Sequence, residues 1–91
     1  MSARAPSAKS LIAEARRRFA EAGLVDAPTD ARILVCGLLN LDATSLLLHG
    51  DEPVSREIVD QVEQAILRRL AREPVHRILG RRDFYGLDLT L

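Results

Sequence analysis

The chain has 91 residues, of which thirteen are basic, thirteen acidic and 47% hydrophobic. That length allows one small domain, at about 100–200 residues per domain, burying only roughly 60–65% of the surface an unfolded chain exposes. The apolar share suffices for a packed core and excludes a disordered tail, while the balanced charge excludes a net field toward phosphate backbones or anionic membranes.

Leucine and alanine dominate the apolar half, and the aromatics are only Phe19, Phe84 and Tyr85, which favours an α-helical bundle. Residues 1–10 are small and polar and are expected to be a flexible N-terminus. Ser7 or Ser10 can cap a first helix running to about Ala22, with Leu11, Ala15, Phe19 and Ala22 on one stripe. Glu14 with Arg18, and Arg17 with Glu21, stand at the four-residue spacing of surface ion pairs. Gly23 supplies a left-handed stop, with Leu24 folding back as its hydrophobic partner.

Pro28 suits the first turn of a second helix, where Ala31, Leu34, Val35, Leu38 and Leu39 give the clearest amphipathic pattern of the chain. Ile33 and Cys36 widen that stripe, which predicts a central helix. Asn40 can take the left-handed stop. Asp42 then caps a short third helix through Leu46, Leu47 and Leu48, ended by Gly50. The fourth helix starts from Ser55, with Val54 and Val59 placed as a hydrophobic staple. Its buried face is Ile58, Val59, Val62, Ala65, Ile66 and Leu70, and it is expected to reach about Arg72 before Pro74 stops it. A fifth helix covers Val75 to Leu79, with Gly80 as its end. Beyond Gly80 the period changes to two: Leu87, Leu89 and Leu91 alternate with polar residues, and Tyr85-Gly86 offers a turn between short strands. The expected fold is all-α, a bundle of about five helices over 11–80, followed over 81–91 by the start of a β-hairpin. Ending on an apolar strand residue, the sequence looks cut.

Chemistry-bearing clusters are scarce. No two glycines lie close enough for a G-x-G nucleotide loop, and no Walker loop is present. His49 and His76 read as surface or capping residues, and neither has a second ligand at the four-residue spacing of a zinc helix. Cys36 is expected to be a small core residue, on the reading that no cation or histidine neighbours it at helical spacing. A lone cysteine fits a reducing compartment; Met1 to Ser10 lacks the apolar stretch of a secretory signal, and the longest apolar run, Ile33 to Leu39, is far short of a membrane span. The expected location is the cytoplasm. No catalytic, cofactor-binding or metal-ligating residue is assigned to this segment. Two arginine clusters remain: Arg16 to Arg18, and Arg68, Arg69, Arg72, Arg77, Arg81 and Arg82 within fifteen residues. The second is either a solvated helix end or an anchor surface for a partner or a neighbouring domain. DNA binding is disfavoured, because the basic residues surround a helix break rather than lining one helix.

The string Leu67-Arg68-Arg69, Arg72-Glu73-Pro74-Val75-His76-Arg77-Ile78-Leu79-Gly80 and Asp83-Phe84-Tyr85-Gly86-Leu87 resembles the end of the N-terminal domain of the HemK/PrmC family. Upstream, Ala22-Gly23-Leu24 and Asp30-Ala31-Arg32-Ile33-Leu34-Val35 resemble that family's helix pair, so the likeness covers residues 11 to 91. Arg77 stands where the family often has tyrosine, and Asp83 where it usually has glutamate. The resemblance implies a parent protein-(glutamine-N5) methyltransferase. This would be a helical bundle, a β-hairpin linker, and a Rossmann-like domain with an S-adenosylmethionine loop and an Asn-Pro-Pro-Tyr motif. This chain has neither; its prolines are all isolated. By resemblance the segment is non-catalytic, S-adenosylmethionine belongs to the parent, and the protein partner is a class I peptide chain release factor, methylated at the glutamine of its Gly-Gly-Gln loop. The missing catalytic domain is the other expected partner, with Arg68, Arg69, Arg72, Arg77, Arg81 and Arg82 as candidate contacts to either; no membrane and no metal are expected. The alternatives are a free-standing helical interaction module and, behind it, a nucleic-acid binder.

Overall fold

Phe19 is fully buried, and the helices are arranged around it. The computed structural model describes residues 6–80, which form α1 (Ala8–Glu21), α2 (Ala27–Leu39), α3 (Ala43–His49), α4 (Arg56–Leu70) and α5 (Val75–Leu79). The core joins Phe19 of α1, Leu34 and Val35 of α2, Val62 and Ile66 of α4, and Ile78 and Leu79 of α5. Among the described residues every buried side chain is apolar, there is no sheet, and one isolated antiparallel bridge joins Ser7 to Pro53. The expected hairpin at 81–91 lies outside the described residues. No single described helix is long and apolar enough to cross a membrane.

The helix starts follow local chemistry. Ser7 and Ser10 act together as a capping box: the Ser7 hydroxyl accepts from the Ser10 N–H (3.2 Å), and the Ser10 hydroxyl accepts from the Ser7 N–H (2.8 Å). Asp42 accepts from the Ser45 N–H and Ser55 from the Ile58 N–H, starting α3 and α4. Within the expected flexible stretch, Pro6 and Lys9 also bond to the rest of the fold, through Val54 N–H to Pro6 C=O and Lys9 N–H to Gly50 C=O. Gly50 therefore has a different reason to be glycine than a left-handed stop. Its φ is −64°, and an added Cβ would meet the Leu46 carbonyl oxygen first and then, at 2.9 Å, the Lys9 side chain.

The helix ends use one device three times. Gly23 at φ 84° ends α1 with its N–H bonded to Ala20 C=O and the Leu24 N–H to Phe19 C=O, and buried Leu24 closes over the last turn. Ala22 itself is exposed, so the apolar stripe ends at Phe19. Asn40 at φ 62° ends α2, with Leu41 N–H bonded to Cys36 C=O. The third stop differs from expectation. α4 ends at Leu70, before Arg72, because Arg72 itself takes φ 76°; its N–H bonds Arg69 C=O and the Glu73 N–H bonds Arg68 C=O. Pro74 thus confirms a stop already made, and serves as the cap of α5. The turn brings Leu79 against Gly37 in the middle of α2, where an added Cβ would sit 2.7 Å from a Leu79 methyl.

A non-glycine residue in the left-handed region is strained by about 1–2 kcal/mol. Arg72→Gly and Arg72→Ala both remove the guanidinium, so their difference isolates the backbone. Arg72→Gly is expected to be the more stable of the two by about 0.5–1 kcal/mol in urea unfolding, the glycine's extra unfolded-state freedom offsetting part of the relief.

Candidate functional site

The turn after α4 gathers three arginines, and each makes contacts within the bundle. Arg68 makes a two-pronged contact with Glu73, Nε to Oε1 at 2.9 Å and Nη2 to Oε2 at 2.5 Å. Arg69 turns inward and grips Asp30 of α2 through Nε (3.2 Å) and Nη2 (3.0 Å), while its Nη1 donates to Glu73 C=O (3.3 Å). Both partners of the Arg69–Asp30 pair are largely covered, with side chains 18% and 17% exposed. Arg72 donates to the carbonyl of Ala22 (3.2 Å), one of the orphan acceptors at the end of α1. Arg77, on α5, is exposed and its side chain bonds to no other described residue. Arg81 and Arg82 lie outside the described residues. The bidentate bond from Arg68 holds the Glu73 carboxyl below its ordinary range.

The first arginine cluster is also re-paired. Arg17 holds both Glu14 (2.6 Å) and Glu21 (3.0 Å), whereas Arg18 reaches across to Glu63 of α4 (2.8 Å) rather than back to Glu14. The remaining titratable candidates are peripheral. His49 is exposed with Nδ1 2.8 Å from Glu52, and His76 is exposed. Among the described residues, no group of three His, Cys, Asp or Glu could hold a metal ion.

The second feature is an apolar groove of about 450 Å³ beside α2, continuous with a further depression under α3. Ile33, Cys36 and Gly37 of α2, Leu41 and Asp42 of the following turn, and Leu79 of α5 line the one; Arg32, Ala43, Leu46 and Leu47 extend the other. α2 and α3 meet at 80°, and no residue of α3 is buried. Ile33 is therefore 45% exposed and Leu47 75%: the widened stripe of α2 is a groove wall as well as a core face. Cys36 is half-buried in that wall rather than in the core. Burial pushes its thiol pKa up, partly opposed by Arg32, a cation one helical turn earlier, contrary to the expectation that no cation neighbours this cysteine. At the rim, the Ser45 N–H holds the Asp42 carboxyl below its ordinary range.

Comparison with known proteins decides the family. The PrmC N-terminal domain profile matches residues 10–80. The chain belongs to the PrmC N-terminal domain family. It is similar to the "Release factor glutamine methyltransferase" of Agrobacterium fabrum, 40% identical over 77 residues, covering 85% of this chain and 27% of that protein. The protein of the same name from Bradyrhizobium diazoefficiens is 40% identical over 84 residues (88% and 28%), and that from Rhodospirillum rubrum 42% over 74 (81% and 23%). The chain thus spans about a quarter of the length of these curated relatives. No solved structure matches it.

Of the residues that carried the PrmC resemblance, several between Arg68 and Gly80 close this domain. Glu73 clamps Arg68, Pro74 caps α5, Ile78 and Leu79 are buried, and Gly80 takes φ 63°. The upstream helix pair meets the downstream string directly, through Asp30 and Arg69. Sequence reasoning named both Arg69 and Asp30 but did not pair them, because they lie 39 residues apart.

Two outcomes are expected. In a double-mutant cycle of Asp30→Asn and Arg69→Met, each single variant is destabilised and the double is better than their sum by about 1 kcal/mol, because either single change leaves a half-buried charge without its partner. The second concerns acid. Because the Glu73 pKa is lowered by folding, the Arg68 contact stabilises fully above the unfolded glutamate range of about 4.3, and that contribution is lost as pH falls through the lowered value. Arg68→Gln should return the Glu73 titration, followed by carboxyl carbon NMR, toward about 4.3.

Proposed function

We propose that this chain is the substrate-recognition domain of a release factor glutamine methyltransferase acting in the cytoplasm. It would bind a class I peptide chain release factor while the methyl donor, S-adenosylmethionine, binds elsewhere on the parent. The observation that carries this reading is the family match over 10–80, together with relatives of that name of which the chain spans about a quarter. The domain itself does no chemistry in this reading. Its described carboxylates at Asp30, Asp42 and Glu73 are engaged in a cap and in arginine pairs, an arrangement that supports a rigid platform.

Such a platform has a physical purpose. An amide nitrogen is a weak nucleophile, so much of the acceleration must come from holding it in line with the transferring methyl group. Contacts made far from the reacting atoms supply binding energy for that placement. Rigidity in this reading rests on an apolar core and on ion pairs that bridge α1 to α4 and α2 to α4. Of the six arginines expected as contacts, Arg68, Arg69 and Arg72 act in this reading by fixing the corner, leaving Arg77, with Arg81 and Arg82, to meet the partner or the following domain.

Amide-shift titration of the chain tests this. A class I release factor is expected to shift exposed amides, Arg77→Glu to weaken that response, and S-adenosylmethionine alone to leave the spectrum unchanged. No response to the release factor at high micromolar concentration, or a specific response to S-adenosylmethionine, would overturn the reading.

A further inference from the structure

The groove beside α2 and the depression under α3 share Ile33, Cys36, Leu41 and Asp42, so they form one continuous apolar strip. Two helices supply it at helical spacing: Ile33, Cys36 and Gly37 from α2, and Ala43, Leu46 and Leu47 from α3. On the α3 side the strip projects: Leu47 is 75% exposed and Leu48, the next residue, 70%. Its charged members are Arg32 of α2 and Asp42 at the start of α3, both exposed. We propose that this strip is a self-association surface, covered by the same strip of a second copy of the chain. The two copies meet about a two-fold axis, with Arg32 of each set against Asp42 of the other.

Charge argues for that occupant. A strip with one cation and one anion has no net field to draw a strongly acidic or basic partner. It is complementary to itself instead. In a two-fold contact, where residue i meets residue j, j also meets i. An axis lying in the contact plane, midway between Arg32 and Asp42, therefore forms two equal ion pairs at once. Asp42 can take part while it caps α3, because a carboxylate has about four acceptor sites and the Ser45 N–H uses one. The chain as a whole has a formal net charge of zero, so two copies approach without net repulsion. Shape agrees with charge. The strip holds a hollow of about 450 Å³ beside α2 and projecting leucines on α3, so each copy brings apolar side chains to the other's hollow. Pairing also covers α3, which buries no residue of its own against the bundle. Two short helices make a small contact, so the dimer is reversible rather than obligate. This assignment does not depend on the release-factor reading.

Sedimentation velocity of the 91-residue chain tests this, with Cys36 kept reduced so that no disulfide links the copies. A monomer–dimer shift is expected between about 10 μM and 1 mM, the range in which weak contacts dissociate. The amides of Ile33, Cys36 and Leu47 are expected to shift over the same range. Leu47→Asp should weaken association about tenfold or more, and Val25→Asp, 92% exposed on the α1–α2 connection, should leave it unchanged. Arg32→Glu sets like charges together, and Asp42→Asn removes the anion while keeping a residue that can cap α3. Each alone should associate less than the unaltered chain. Their equimolar mixture should associate about twofold better than either, because one of the two ion pairs is regained. All four positions are on the surface, and far-UV circular dichroism checks that each variant keeps its helices. A chain that stays monomeric to about 1 mM overturns the proposal without recourse to any variant. So does a dimer insensitive to Leu47→Asp, or a mixture no better than the two variants alone. Groove amides that shift with added release factor, but never with the chain's own concentration, make that partner the occupant and overturn it as well.

Discussion

The left-handed turn at Arg72 is the constraint on which the rest of this domain depends. α4 must stop there if α5 is to fold back and deliver Ile78 and Leu79 to the core and to Gly37 of α2. A glycine would make that turn without strain; arginine makes it against a left-handed penalty of about 1–2 kcal/mol. The compensation is visible in the side chains around it. Arg72 satisfies a carbonyl at the end of α1, Arg68 holds the Glu73 carboxylate just beyond the turn, and Arg69 binds Asp30 of α2 and the Glu73 carbonyl. One turn thereby ties the ends of α1 and α4 to α2. A half-buried ion pair such as Arg69–Asp30 adds little net stability over an apolar pair of the same shape, since both charges lose hydration. Its value is geometric, because a wrong register would strand a charge.

This arrangement inverts the simple expectation for a cluster of cations and a run of leucines. Around the turn, polar groups are directed at one another, while Ile33, Leu47 and Leu48 are left toward solvent. An open apolar surface on a small domain marks a place where something docks. The named relatives in this family are nearly four times the length of the matched part. The bundle then has a closed polar corner around Arg72, an open apolar groove beside α2, and other exposed surface that includes Arg77.

Features that depend on short stretches of backbone were legible in the sequence. Ser55 and Asp42 cap because each has an N–H three residues ahead, and Asn40 and Gly23 stop helices because their own backbones reach positive φ readily. The core stripes of α1, α2 and α4 follow from periodicity, since a helix exposes the same face every three or four residues. The pairings that differ from expectation all involve a choice among competing partners. Glu14 had Arg17 and Arg18 within one turn, and Arg18 went to Glu63 because α4 packs alongside. Arg32 stands one turn before Cys36, and only the groove shows that burial outweighs it at the thiol.

By itself, the sequence determined that this is an all-α bundle, where four of its five helices begin, and which family it resembles. These rest on hydrogen bonds and side-chain spacings within a few residues, and the chain carries such information locally. Tertiary structure alone decided that Asp30 is the partner of Arg69, 39 residues away, that Arg72 reaches Ala22 across 50, and that Ile33 stays at the surface. Those outcomes depend on where helix axes cross, and crossing is set by the joint packing of Phe19, Leu34, Val35, Val62, Ile66 and Leu79. No single segment contains that information.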